Sequence, residues 1–260
     1  MILVGGRGRE SILFTHNTKY LKTMKQEFKE AATYQTAENI YQSFEEFIFS
    51  TDRKILAKLA AKVEILKMTS NIPGDIVECG VFRGSGMSAW LKLRDICLPG
   101  TFKKVVGFDF FDTESLVSKL SGNDKIQMSK FFKDRNECHD EGSTNYISNL
   151  IESAGFKSSD YELIQGDISE TAPEYVNQNP GFRLSVLYID LDLDQPTYSA
   201  LRAFWHRLSV GGIVVFDEYG YRQWSEANGV DRFLKEINYK HPLREMRYPC
   251  PTAYIIKDQW

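Results

Sequence analysis

The residues best suited to chemistry in this chain are four carboxylates that directly follow two apolar runs. They are Asp190, Asp192, Asp217 and Glu218. The runs 184–189 and 213–216 have the branched and aromatic composition of strands buried on both faces, and segment 197–208 between them has helical spacing. A strand–helix–strand unit places its two strands parallel and side by side. The carboxylates are therefore expected to converge at the C-terminal edge of a sheet, where open α/β sheets bind ligands.

Carboxylates held close together are costly in free energy unless a cation or a shared proton compensates them. A divalent metal ion with oxygen ligands is the simplest such cation. The alternative is that these acids are solvated residues of surface loops and bind no cation. Asp190 and Asp192 are two residues apart, so on an extended strand end their side chains would share one face. One could then bind the ion while the other accepts a proton. Asp192 is otherwise a second metal ligand or a helix cap before Pro196.

A glycine-rich turn indicates a second candidate site. Residues 75–80 predict a strand, and Gly80, Gly84 and Gly86 follow it before a helix predicted over 87–94. Glycines in such a turn let the backbone pass close to a ligand and let the helix N-terminus face it. Several nucleotide-binding folds have a turn of this kind, so it indicates a ligand without identifying it.

Two further acids stand at the ends of predicted strands. Asp109 ends the strand 105–109, where dinucleotide-binding folds place a carboxylate that accepts hydrogen bonds from a ribose diol. An aspartate of an ordinary turn is the alternative. Asp167 follows the strand 161–165 and could hold an exocyclic amine of a base.

The regions around this core predict a helical segment and a lid. Residues 1–70 carry helical patterns and no strand, which predicts a cap or interface segment ahead of a main domain at 71–260. Residues 111–146 are polar, and so long an irregular insertion in a compact fold predicts a lid over the site. His139 lies in this insertion and is either a surface residue or a catalytic one.

Two local signals predict where elements end. The pair Gly211-Gly212 predicts the end of the helix over 197–208. A proline-rich turn separates the apolar segments 243–248 and 253–257, which predicts an antiparallel hairpin at the C-terminus.

Composition argues against several classes of partner and site. The 260 residues carry a net charge of −3 and a pI of about 5.9, which favours neither nucleic acid nor an anionic membrane surface. No apolar run approaches the roughly 18–20 residues of a membrane span. The four cysteines are scattered and form no Cys-x-x-Cys pair, which predicts reduced thiols in a cytoplasmic protein and makes a zinc site improbable.

A family resemblance rests on three motifs: Glu78-x-Gly80-x-x-x-Gly84-x-Gly86, Asp109 and Gly166-Asp167. Together they resemble the S-adenosylmethionine site of class I methyltransferases, and the C-terminal hairpin resembles the reversed seventh strand of that fold. More narrowly, segments 73–84, 188–192 and 211–220 resemble the macrocin O-methyltransferase (TylF) family, and especially deoxysugar O-methyltransferases of enediyne pathways. The resemblance covers residues 73–257, and the N-terminal part matches poorly.

This resemblance implies a Rossmann-like α/β fold with a mostly parallel seven-stranded sheet, an antiparallel C-terminal hairpin and an N-terminal helical segment. It also implies methyl transfer from S-adenosylmethionine to a hydroxyl of a sugar or glycosylated natural product. The partners expected are therefore a small-molecule sugar or glycoside, and a homo-oligomer is expected through the N-terminal helices.

The resemblance also implies roles for individual residues. Those implied to bind S-adenosylmethionine are Glu78, Gly80, Gly84, Gly86, Asp109, Phe110, Asp167, Ile168 and Asp190. Those implied to hold Mg²⁺ or a similar divalent cation are Asp190, Asp217 and Glu218. Asp192 is the implied general base, with His139 as the second catalytic candidate. Many relatives have Asp where this chain has Glu218, and Leu193-Asp194 also departs from the family pattern.

Three other classes remain as alternatives. A nicotinamide-dependent short-chain reductase has similar cofactor glycines, but it needs a Tyr-x-x-x-Lys pair, and no tyrosine here has a lysine four residues later. A hydroxylase of the cephalosporin type resembles this family in fold and acid motifs. A non-catalytic module that binds S-adenosylmethionine or a nucleotide sugar is the third.

Overall fold

A computed structural model of the chain describes residues 37–134 and 142–259. The chain divides into two compact units, Met1–Thr51 and Asp52–Trp260. The described part of the first unit contains one helix, α1 (Ala37–Ile48). The second unit contains the sheet and the residues of the candidate site.

The second unit is built on one seven-stranded sheet with the order β3-β2-β1-β4-β5-β7-β6. Its strands are β1 (Asp75–Cys79), β2 (Val105–Asp109), β3 (Tyr161–Gln165), β4 (Leu184–Ile189), β5 (Leu208–Phe216), β6 (Arg244–Glu245) and β7 (Ala253–Ile256). The first five strands are parallel, and β7 runs antiparallel to both β5 and β6. This topology confirms the predicted fold class, including the antiparallel C-terminal hairpin.

Eight α-helices of the described chain lie in this unit. They are α2 (Lys54–Met68), α3 (Ser85–Cys97), α4 (Thr113–Lys119), α5 (Gly122–Asp134), α6 (Thr144–Ser153), α7 (Ile168–Gln178), α8 (Asp194–Phe204) and α9 (Glu226–Glu236). Most connect successive strands, as parallel pairing requires.

The two faces of the sheet form two hydrophobic cores. Alternate residues of a strand point to opposite faces, so Val77 and Leu187 pack in one core while Ile76 and Val186 pack in the other. The first core includes buried residues of α7, α8 and α9, and the second includes those of α2, α3 and α6. Helices therefore cover both faces, which explains why the central strands read as continuous apolar runs.

Helix α2 belongs to the unit that holds the sheet, whereas the sequence placed a domain division at residue 70. Ala61, Ile65 and Leu66 of α2 are fully buried in the second core. The change of pattern at Pro73-Gly74 marks the start of the first strand and not the start of the compact unit. A local turn signal cannot predict that α2 packs against the sheet, because that packing is a contact between distant parts of the fold.

The insertion after β2 is helical over most of its described length. The sequence predicted an irregular segment over residues 111–146, but α4 and α5 occupy much of it. Asp112 caps α4 by accepting hydrogen bonds from Glu114 N and Ser115 N. His139 lies outside the described residues, so its catalytic role stays a prediction.

The predicted stop signal at Gly211-Gly212 is wrong. Helix α8 begins at Asp194 and ends at Phe204, and both glycines lie inside β5. Gly211 has a φ of 84°, and a Cβ there would lie 2.6 Å from the side chain of Ile72. These glycines serve an irregular stretch of strand that passes close to its neighbour, and they do not end a helix.

Candidate active site

A cleft of about 950 Å³ opens at the C-terminal edge of the parallel strands. The predicted site residues that line it are Glu78, Gly80, Gly86, Asp109, Phe110, Ile168, Asp190, Asp192 and Glu218. Gly84, Asp167 and Asp217 are not among its lining residues. The structure therefore brings most of the predicted cofactor, metal and catalytic residues to one cleft.

The glycine turn is tight because other parts of the site occupy the space of the missing side chains. A Cβ at Gly80, whose φ is 96°, would lie 1.8 Å from the backbone oxygen of Asp190. A Cβ at Gly86 would lie 2.4 Å from Oε1 of Glu78. Gly84 has a φ of 82° and precedes the first residue of α3. The turn thus forms a cradle at the helix N-terminus, the arrangement that suits an approaching ligand.

Asp109 holds this turn in place. Its Oδ2 accepts hydrogen bonds from Val81 N and Phe82 N, each at 2.8 Å, and its Oδ1 accepts one from Phe111 N at 3.2 Å. A carboxylate offers about four acceptor positions, so one remains for a ligand hydroxyl. Asp109 therefore has a structural role that the sequence did not predict, and it also faces the cleft where the ribose was predicted to bind.

Glu78 forms a buried ion pair with Lys62 beneath the turn. The Nζ of Lys62 lies 2.9 Å from Oε1 of Glu78, and both side chains are 3% exposed. The ammonium group also lies 4.0 and 4.1 Å from the ring centroids of Trp90 and Tyr188. Burial raises the pKa of Glu78, and the charge of Lys62 opposes this rise. Oε2 of Glu78 has no hydrogen-bond partner among the described residues, so it could accept a hydrogen bond from a bound ligand.

Asp167 caps a helix beside the cleft. Its Oδ1 accepts a hydrogen bond from Ser169 N at the start of α7, and its Oδ2 lies 2.7 Å from Lys119 Nζ. Its neighbours Gly166 and Ile168 line the cleft. The predicted contact between Asp167 and a base stays a prediction, and helix capping accounts for this residue in the structure.

Lysines of α2 face the acid cluster, which consists of Asp190, Asp192, Asp217 and Glu218. Lys58 Nζ lies 2.7 Å from Asp190 Oδ2 and 2.8 Å from Asp217 Oδ2, and Lys54 Nζ lies 2.6 Å from Glu218 Oε1. Residues four apart lie on one face of a helix, so the spacing of these lysines aligns them with the acids. The acid motifs predicted a metal ion as the compensating charge, whereas the four-residue spacing of Lys54 and Lys58 was the signal for compensation by lysines.

Asp217 is fully buried and its two oxygens are occupied. Oδ1 accepts a hydrogen bond from the Tyr188 hydroxyl, and Oδ2 accepts one from Cys250 Sγ at 2.7 Å in addition to its contact with Lys58. Among the described residues, the ligand atoms close enough to hold a metal together are those of Asp217, Glu218 and Cys250, all within 4.8 Å of one another. Asp190, which the sequence predicted as a ligand together with Asp217 and Glu218, is not part of that group. Lys58 bridges Asp190 and Asp217 instead.

A fifth acid, Glu226 of α9, completes the cluster. Its Oε1 accepts a hydrogen bond from Glu218 N at 3.0 Å, and its side chain is fully buried. Burial raises the pKa of Glu226 well above its usual range. Oε2 of Glu226 and Oε2 of Glu218 have no hydrogen-bond partner among the described residues. The sequence did not predict Glu226 as a site residue, because it follows no strand and stands at the first residue of a helix, eight residues beyond Glu218.

Asp192 lies outside the strand that precedes it. β4 ends at Ile189, and Asp192 has a φ of 64°, so the argument from strand periodicity for a shared face with Asp190 is wrong. The backbone oxygen of Asp192 accepts hydrogen bonds from Ser225 N and Glu226 N, which holds this turn. Burial, and then the nearby charges of Asp190, Glu218 and Asp217, raise the pKa of Asp192 well above its usual range.

Aromatic side chains form one wall of the cleft. Phe131 of α5 makes edge contacts with Phe82 and Trp224, with ring centroids 5.9 and 5.8 Å apart. These rings, together with Tyr221, line the cleft. Helix α5 of the insertion and the loop after β5 thus meet over the site, where a flat apolar surface suits the face of a sugar or another ring.

In the part of the chain that the structure describes, the helices are too short or too polar to cross a membrane.

The comparisons with known proteins match this chain to one family of methyltransferases. The model of a family described as macrocin-O-methyltransferase (TylF) matches residues 10–252. A 4'-O-methyltransferase of Streptomyces olivaceus that acts on 8-demethyl-8-(2,3-dimethoxy-alpha-L-rhamnosyl)-tetracenomycin-C is 27% identical over 158 residues. That match covers 58% of this chain and 55% of the relative, so it spans about half of the relative's length.

Two solved structures share the fold. The calicheamicin methyltransferase CalS11 aligns with a TM-score of 0.65 and 24% identity, covering 98% of this chain and 99% of that one. The O-methyltransferase NovP aligns with a TM-score of 0.61 and 22% identity, covering 78% of this chain and 80% of that one. At these identities, the likeness shows the fold.

Proposed function

This chain belongs to the macrocin O-methyltransferase (TylF) family, and we propose that it transfers a methyl group from S-adenosylmethionine to a hydroxyl of a sugar or of a glycosylated natural product. The name of the Streptomyces olivaceus relative, whose substrate carries a rhamnosyl group, supports a sugar acceptor. The observation that carries the proposal is the shared cleft, because it joins the glycine cradle, the acid cluster and the aromatic wall.

The cofactor would bind along the turn at Gly80 and Gly86. A side chain at either position would collide with Asp190 or Glu78, so glycine keeps both of these residues in place beside the turn. Asp109 retains acceptor capacity for one hydroxyl of the ribose, and Oε2 of Glu78 could accept a hydrogen bond from the amino group of the methionine part. Because the sulfonium methyl is already activated, the main task of these residues is to hold it in line with the acceptor oxygen.

The acceptor would contact both the acids and the aromatic wall. Phe131 and Trp224 would cover one face of a sugar ring, and Asp192, which lines the same cleft, would accept the proton of the attacking hydroxyl. Asp192 is suited to this because it lines the cleft while its backbone is held by α9. His139 remains a predicted alternative base.

The proposal includes a divalent cation. Asp190, Asp217 and Glu218 would hold it, and their oxygens are of the type that Mg²⁺ prefers. The unpartnered Oε2 of Glu218 is an observation that fits such an ion. When bound, the ion would lower the pKa of an acceptor hydroxyl. The cytoplasmic location and the homo-oligomer remain predictions.

Cofactor binding separates this proposal from its alternatives. We expect the protein to bind S-adenosylhomocysteine and not NADH in calorimetric titrations, and to turn over S-adenosylmethionine when an acceptor sugar and a divalent metal are supplied. Oxidation of an acceptor would instead favour the hydroxylase of the cephalosporin type. Tight binding of S-adenosylhomocysteine without turnover on any sugar or glycoside would favour a binding module.

A further inference from the structure

The position between Asp190 and Asp217 already contains a cation of the chain itself. Lys58 Nζ lies 2.7 Å from one carboxylate and 2.8 Å from the other, which are the distances of charge-assisted hydrogen bonds. Lys54 pairs in the same way with Glu218. Two ammonium groups of one helix thus contact the three carboxylates that the proposed function assigns to a divalent cation.

A divalent ion and Lys58 cannot use these oxygens together. Mg²⁺ and Ca²⁺ lie roughly 2.0–2.6 Å from their oxygen ligands, so an ion bound to the same two oxygens would stand beside the ammonium group. Two positive charges at that distance repel each other strongly in a partly buried site. Binding of the ion therefore requires Lys58 to move away.

Lys58 can move, whereas the next lysine of the helix cannot. The side chain of Lys58 is 26% exposed and lines the cleft, so its long stem can swing toward solvent. Lys62, one turn further along α2, is 3% exposed and enclosed by Trp90 and Tyr188. The buried Oε2 of Glu218 has no partner among the described residues, which leaves an acceptor ready for an incoming ion.

We propose that Lys58 is a built-in counter-cation, which a divalent ion must displace from Asp190 and Asp217. This inference rests on the proposed cation site, and it adds that Lys58 competes with the ion for the same carboxylates. The lysine keeps the acids paired when no metal is bound, and it makes the affinity for metal weaker than the carboxylates alone would give.

Direct metal binding tests the competition without any turnover. We would titrate Mn²⁺ into the full-length wild type, Lys58→Met and Lys58→Gln, and follow free Mn²⁺ by electron paramagnetic resonance. Breaking a charged hydrogen bond changes an equilibrium by roughly 10- to 150-fold. We therefore expect both variants to bind Mn²⁺ tighter than wild type by a factor in that range.

A matched control and a second readout complete the test. Lys104→Met removes a lysine that pairs with Glu162 at 2.9 Å outside the cleft, and it should leave Mn²⁺ affinity unchanged. In the wild type, Mn²⁺ should increase the rate at which an amine reagent labels Lys58, measured by mass spectrometry, relative to Lys104. Equal or weaker Mn²⁺ binding in the Lys58 variants, or a labelling rate of Lys58 that does not respond to Mn²⁺, would overturn the proposal. Neither readout requires methyl transfer, so failure of the proposed function would be seen separately.

Discussion

Breaking the buried pair of Lys62 and Glu78 by the substitution Lys62→Met should make the stability of the protein fall as pH increases. In the wild type, the pair takes up no net proton on folding, whether both groups are charged or the proton has moved from the lysine to the glutamate. Lys62→Met removes the ammonium group and leaves Glu78, which is 2% exposed, without its charged partner. Removing one member of a buried pair costs about 3–5 kcal/mol.

The variant can limit this cost by protonating Glu78 in the folded state. Burial raises the pKa of Glu78, and the loss of Lys62 removes the charge that opposes this rise. The folded variant then binds one more proton than the unfolded chain, so its stability falls as pH increases above the unfolded pKa of about 4.3. At about 1.36 kcal/mol per pH unit, the protonation cost is about 1.6 kcal/mol at pH 5.5 and about 4.4 kcal/mol at pH 7.5.

Urea unfolding of the full chain at these two pH values, followed by circular dichroism, measures the effect. Lys62→Met should lose about 1–3 kcal/mol more stability, relative to wild type, at the higher pH. Lys104→Met, which breaks a half-exposed pair with Glu162, should lose about 0–1 kcal/mol at both. The double variant Lys62→Met/Glu78→Gln should lose the pH dependence. A destabilisation by Lys62→Met that is the same at both pH values would refute the reasoning.

Three further predictions concern the cleft. Gly86→Ala should weaken S-adenosylhomocysteine binding by about 1.5–3 kcal/mol in calorimetry, because the new Cβ would displace Glu78, the proposed acceptor for the amino group of the ligand. Gly181→Ala, which meets no atom within 4 Å, is the control that should bind normally. Asp109→Asn should cost about 1.5–3 kcal/mol of the same affinity, and an unchanged affinity would remove Asp109 from the ribose role. Asp192→Asn should lower kcat roughly 10²–10⁴-fold with cofactor affinity intact, whereas a near-normal kcat would exclude Asp192 as the base.

The sequence predicted the fold well because local signals determine most of it. The apolar runs 184–189 and 213–216 end at the residues where β4 and β5 end, since strands buried on both faces leave an unambiguous pattern. Asp190, Asp192 and Glu218, which follow these runs, reach the cleft because the C-terminal ends of parallel neighbours share an edge. The pair Gly211-Gly212 is an exception, because glycine is typical both of a helix end and of an irregular strand, and here both glycines lie inside β5.

The electrostatics of the site could not be predicted in the same way. Lys58 stands in a helix 132 residues before Asp190, and only the packing of α2 against the sheet brings the two together. Glu226 reaches Glu218 because α9 begins beside the acid cluster, and no strand end marks it. Asp192 leaves the strand direction through a positive φ, a local conformation that the strand pattern before it does not reveal.

The most direct test of the central claim is methyl transfer itself. The protein would be incubated with methyl-labelled S-adenosylmethionine and a panel of nucleotide sugars and small glycosides, with divalent metal added, and the products analysed by mass spectrometry and NMR. We predict label on a hydroxyl oxygen of at least one sugar, and a lower rate of labelling with Gly86→Ala when S-adenosylmethionine is not saturating. Label on nitrogen, or no transfer to any sugar by a protein that binds S-adenosylhomocysteine, would contradict the account.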